Sequence, residues 1–195
     1  QKALTMQLTS FTFLFAFLPA VLVCAMLARK SIRARNGILL AGSLFFCAAG
    51  GLPGLFAGVL ETLAVFLLGK RLSKAEGEKA KKRVLMLGVI LSAGLLCYFK
   101  YTNFLFRTLR LPEVRILPAP VGVSFLTFLL TSYLIDVHRG KIPAETRFDR
   151  FLLFALFFPK AAQGPLCRYE DFSSQLETRA DDAMLSDGAS RVILG

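Results

Sequence analysis

One histidine and four cysteines are all that the 195-residue sequence offers a transition metal by way of imidazole and thiolate. Cys24, Cys47, Cys97 and Cys167 form no CxxC pair, and three of them lie within apolar stretches. Neither a zinc site nor a disulfide framework is predicted, therefore, and small thiols packed between helices are the simpler reading. Charge is scarce as well: Asp, Glu, Lys and Arg make up 19% of the chain, although 24 basic against 13 acidic residues leave a net charge of +11. A solvated protein that binds nucleic acid carries more charge and spreads it over one face. Nucleic acid is thus excluded as a partner.

What the sequence has in abundance is apolar length. No charged residue occurs in 3–28, 36–60, 84–99 or 116–135. A bilayer core of about 30 Å takes ~20 helical residues to cross, so three of these stretches are long enough and the third in order falls slightly short. Several separated stretches rule out a cleaved leader on a soluble body. The pattern predicts an all-α, polytopic membrane protein with the bilayer as its first partner. Residue 1 is Gln, the first methionine is Met6, and the last residues, Val192-Ile193-Leu194-Gly195, are apolar. The chain is expected to be one membrane domain, the amino-terminal part of a longer protein, with residues 1–5 upstream or non-native.

Five spanning helices are predicted. The first, Leu8 to Leu27, is rich in Phe and carries Pro19 near its centre. Gly37 to Gly51 leads through Leu52-Pro53-Gly54, a turn signal, into a third helix that closes at Lys70, so the two should form a tight hairpin. Residues 70–83 hold seven basic and two acidic residues and read as a solvated loop. The fourth helix, Val84 to Phe99, is lengthened by Lys82, Arg83 and Lys100 reaching toward the interfaces. Tyr101 to Leu111 sets Phe104, Leu105, Thr108 and Leu109 apart from Arg107 and Arg110, the pattern of a helix lying in the interface. Ile116 to Ile135 is the fifth, and Phe151 to Phe158 is too short to cross, so it should be re-entrant or covered by protein.

Glu61 is the one acid inside the third predicted helix. It either faces the bundle interior, where a functional role would follow, or lies near enough to the surface to be hydrated. With 29–35, 70–83 and 139–150 on one side, that side holds fifteen basic residues against five on the other. The positive-inside rule then makes it cytoplasmic and turns the amino terminus outward.

Three strings carry more information than hydropathy does: Pro120-x-Gly122-Val123-Ser124-Phe125-x-Thr127-Phe128; Ser132-Tyr133-x-Ile135-Asp136-x-His138-Arg139-Gly140; and Phe158-Pro159-x-x-x-x-Gly164-Pro165-Leu166-x-Arg168-Tyr169-x-Asp171-Phe172. The first places small residues and the hydroxyls of Ser124 and Thr127 in an apolar helix, where they permit close contact and hydrogen bonds between helices. In the second, Asp136 and Arg139 stand at i, i+3, close enough to pair where the chain leaves the membrane. In the third, Gly164-Pro165 breaks any helix and aims Arg168 and Tyr169 back at the interface.

Together and in this order the strings resemble the membrane-bound O-acyltransferase family, in particular its bacterial branch of alginate O-acetylation and D-alanyl transfer. The resemblance runs from about Met6 to Gly195 and is strongest from Pro118 to Phe172. It implies a partial form of that fold, a ring of helices around a tunnel. An acyl group, acetyl in the closest branch, would pass from a cytoplasmic thioester donor, acetyl-CoA or an acyl carrier protein, to a hydroxyl of an extracytoplasmic polysaccharide, with an extracytoplasmic acetyltransferase as possible partner. It implies a bacterial inner membrane and no bound cofactor. The family's catalytic histidine would lie beyond Gly195, so no catalytic residue is assigned here and the chain alone should be inactive. His138 stands where the family usually has Tyr and reads as an interfacial imidazole. Ser124, Thr127, Tyr133, Asp136, Arg139, Gly164, Pro165 and Arg168 are the candidates for shaping the tunnel. A transporter or channel subunit and a non-catalytic assembly protein are the rival readings.

Overall fold

Two glycines turn the chain between the second and third helices. Gly50 ends helix α2 (Ile32–Ala49), and Gly51, at φ +128°, takes a conformation that side chains resist before α3 (Leu52–Lys74) begins with a proline in its first turn. The expected hairpin is thereby formed. The computed structural model describes residues 13–110, 119, 122–161 and 167–178. Its elements run from a π-helical turn (Phe13–Phe17) through α1 (Leu18–Leu27), α2, α3, α4 (Glu78–Thr108), α5 (Val123–His138), α6 (Phe148–Leu156) and the one-turn α7 (Phe158–Ala161) to α8 (Tyr169–Glu177). No strand occurs among the described residues. The architecture is all-α.

Among the described residues three helices are long and apolar enough to cross a bilayer: Ile32–Ala49, Leu52–Lys74 and Glu78–Thr102. Of the two further expected spans, the described parts form the apolar helices Phe15–Leu27 and Val123–His138, and residues 8–12 and 116–118 lie outside the described residues. Elsewhere the boundaries differ from the sequence reading, and each difference has a cause. Pro19 lies in the first turn of α1, and the π-helical turn before it absorbs the backbone bond that proline cannot donate. Residues 70–83 are mostly helical, with only 75–77 between α3 and α4, because Lys, Arg and Glu are good helix formers and solvated charge is no obstacle at a helix end. Tyr101 to Thr108 runs on from α4 without a break, so the amphipathic stretch is the end of a spanning helix.

Helix α5 is packed against α3, α4 and α6. Close approach is possible because two glycines face it. A Cβ on Gly88 would lie 2.4 Å from Leu134 Cδ1, and one on Gly69 would lie 2.9 Å from Tyr133 Cε1. Phe151 to Leu156 are all buried, as the length of that apolar run predicted for a protein-covered segment. Conversely, Phe56, Leu60 and Leu67 on α3 and Met86, Leu87 and Ile90 on α4 are exposed, which suits helices whose outer faces meet lipid.

Candidate functional site

The second motif divides along the helix that carries it. At about 100° per residue, Ser132, Asp136 and Arg139 share one face of α5, while His138 is turned roughly 200° from Asp136. The first face lines a cleft of about 490 Å³ together with Phe128, Leu129, Thr131, Ile135, Cys167 and Arg168. The structure thus brings the second and third motifs together: Asp136, Arg139 and Arg168 border one cavity. Asp136 is buried, whereas Arg139 and Arg168 are exposed at the rim, as the cap residue of α5 and the residue before α8. Asp136 and Arg139 do not form the expected ion pair with each other, since no contact of 4.0 Å or less joins them. Gly164 and Pro165 lie outside the described residues.

Tyr133 serves a different end. Its hydroxyl accepts the Glu145 backbone N–H at 2.9 Å, and its ring lies 4.6 Å from Phe151 and 5.2 Å from Tyr169. The Tyr169 hydroxyl donates to Glu145 Oε2, and Glu145 Oε1 accepts the backbone N–H groups of Thr146 and Arg147 at 2.7 Å each. Glu145 therefore ties α5, through its backbone N–H, to α8 and the start of α6, through its carboxylate, and satisfies donors that the loop would otherwise leave bare. Burial and the adjacent carboxylate push the Tyr169 hydroxyl well above the ordinary tyrosine range. These tyrosines are struts, and no sequence pattern announced Glu145 as their anchor.

Ser124 is half-buried in the first turn of α5, which Gly122 opens in a left-handed conformation. Thr127 is buried, and its Oγ1 donates to Glu61 Oε1 at 3.3 Å across the α3–α5 contact. Glu61, only 2% exposed, therefore faces the bundle interior, which settles the choice that its sequence left open. Ser92 of α4 is fully buried without a hydrogen-bond partner, as is Glu61 Oε2.

Other contacts could not be read from the sequence. The Arg35 guanidinium donates to the carbonyls of Thr178 (2.8 Å) and Leu176 (2.9 Å), so a residue counted as an orientation signal caps the end of α8. The buried Ser43 hydroxyl accepts the Phe158 N–H at 3.3 Å, seating the start of α7 inside the bundle. Lys160 places its ammonium 3.9 Å from the centroid of Phe172, with Phe157 and Phe154 also within reach, so aromatic faces take the place of a carboxylate. All four cysteines are free.

A helical membrane protein with a polar cleft gathered from two motifs is the class that the fold defines. Its relatives make the class narrower. The chain is 34% identical to the protein named "Probable alginate O-acetylase AlgI" of Pseudomonas aeruginosa, with 97% of this chain and 38% of that protein matched. It is 35% identical to the one of Pseudomonas putida, with 97% and 41% matched. The peptidoglycan O-acetyltransferase of Helicobacter pylori is 24% identical over 86% of this chain and 38% of its own length. The chain is a homologue of these O-acetylases, in accord with its three motifs of the membrane-bound O-acyltransferase family, and it spans about two-fifths of their length. No family model and no solved structure matches it.

Proposed function

We propose that this chain forms part of the tunnel wall of a membrane-bound O-acyltransferase that carries an acetyl group from a cytoplasmic thioester to a hydroxyl of an extracytoplasmic polysaccharide. The carrying observation is the 490 Å³ cleft, in which the Asp136 and Arg139 motif of α5 meets Arg168 of the following motif. The homologues' names add the reaction class.

In the reaction the acceptor oxygen bonds to the acyl carbon, the carbon–sulfur bond breaks, and the hydroxyl proton leaves with the thiol after passing through a base. The base would be the family's histidine, outside residues 1–195. This chain's share is positional. Arg139 and Arg168 at the rim can hold anionic groups of a donor by charge-assisted hydrogen bonds, and buried Asp136 sets the polarity behind them. The basic ends at 29–35, 70–83 and 139–150 would face the cytoplasm, where such a donor arrives.

Arg168→Ala in the full-length enzyme tests this reading. Acetyl transfer from a labelled thioester should fall about tenfold or more, as for loss of one charge-assisted contact. Arg110→Ala, at the far end of α4, should leave it nearly unchanged. Small and equal effects of the two would make Arg168 a solvated charge and remove the cleft from the reaction.

A further inference from the structure

The other face of the same helix borders a second cavity. Where the ends of α3 and α5 meet the start of α4, an open cavity of about 400 Å³ is lined by Ser73, Lys81, His138 and Gly140 among apolar neighbours. Gly140, at φ +69°, reverses the chain after α5, and the backbone N–H groups of Gly140 and Lys141 cap the helix by bonding Val137 O and Asp136 O. The chain then returns over the cavity as Ile142, Pro143 and Ala144.

Three observations say what this space lacks. The His138 ring lines it without a hydrogen bond among the described residues, its Nδ1 being shut off from the space and unpartnered. Lys81 is half-buried, yet among the described residues it makes no ion pair. No Asp or Glu lines the cavity. We propose that this cavity binds a phosphate group, with His138, Lys81 and Ser73 as its donors.

The field favours the same sign. The carbonyl ends of α3 and α5 contribute roughly half a negative charge each and the start of α4 roughly half a positive one, about −0.5 in sum. Lys81 alone exceeds that, and Lys74 and Lys141 stand close by in the chain, against the exposed Glu76 and Glu78. An imidazole donor, a hydroxyl and an ammonium from three helices suit a tetrahedral oxyanion, which presents oxygens in several directions at once. A soluble ester and a lipid headgroup both present such a phosphate, and the chemistry at the site is common to the two. The acetyl-transfer reading is not needed for it.

The chain's single histidine makes the site directly observable. Ring-labelled His138 would be followed by NMR in maltoside micelles, which carry no phosphate, first with inorganic phosphate added and then with phosphatidylglycerol in the micelles. A saturable shift with inorganic phosphate identifies a soluble phosphate site, and a shift with phosphatidylglycerol alone identifies a headgroup site. In either case Lys81→Gln should weaken the effect about tenfold, while Lys100→Gln, at the opposite end of α4, should not. No shift with either probe, or equal binding by Lys81→Gln and the parent chain, would overturn the proposal.

Discussion

Helices α4 and α6 are both apolar, yet they spend that apolarity on different surroundings. Along α4, Met86, Leu87 and Ile90 are more than half exposed, whereas in α6 every residue from Phe151 to Leu156 is buried. Length separates the two. The 25 residues Glu78–Thr102 can reach across a bilayer and show their side chains to lipid. The nine residues of α6 cannot, so their ends would leave backbone groups stranded in hydrocarbon unless protein covered them. Apolar composition therefore says that a segment avoids water, and its length says whether lipid or protein replaces the water.

Truncation should expose the difference most strongly. Phe151 is fully buried, with ring contacts to Phe66, Tyr133, Phe154 and Tyr169. Phe151→Ala should cost about 3–5 kcal/mol of stability, because the surrounding rings are held by several helices and cannot collapse into the gap. Ile90→Ala, on the outer face of α4, should cost less than about 1 kcal/mol. Unfolding in detergent followed by circular dichroism would compare them, and similar losses would show that α6 is no more covered than α4.

A gain of one methyl sharpens the comparison. Gly69 of α3 faces the ring of Tyr133, which its hydrogen bond to Glu145 and its contact with Phe151 hold in place. Gly69→Ala should therefore destabilise by about 1–3 kcal/mol through overpacking. Gly94 of α4 has nothing within 4 Å of the position a Cβ would take. Gly94→Ala should stabilise by up to about 1 kcal/mol, the helix-propensity difference. The opposite signs would appear as shifts of Tm in opposite directions.

The same contrast explains what could be read in advance. The α2–α3 hairpin was legible because glycine and proline act locally, and the cover on α6 was legible because length against bilayer thickness is arithmetic. The continuity of α4 through Tyr101 was not, since an amphipathic end and a separate interfacial helix have the same periodicity. In the cleft, Asp136 and Arg139 were legible by helical spacing alone, but their failure to pair was not, because i, i+3 spacing permits a contact without requiring it. The grip of Arg35 on the carbonyls of Leu176 and Thr178, and the anchoring of Tyr133 and Tyr169 by Glu145, join residues far apart in the chain. Only the folded topology brings those together.

The smallest expected effect lies at the solvated edge of α6. Asp149, in its first turn, accepts from Arg147 at 2.6 Å, and that hydrogen bond is the main reason its carboxyl titrates below the ordinary aspartate range. A depressed carboxylate contributes stability above its unfolded pKa of about 3.9 and loses that contribution as the pH falls through its lower folded value. Both partners are largely exposed, so solvent screening keeps the pair's contribution small. Asp149→Asn should accordingly lose slightly less Tm between pH 6 and pH 3 than the parent chain does. The other carboxylates are common to both proteins and cancel in the difference. An identical loss in the two would show that the Arg147–Asp149 pair adds nothing to the fold, and that α6 is held by its covered face alone.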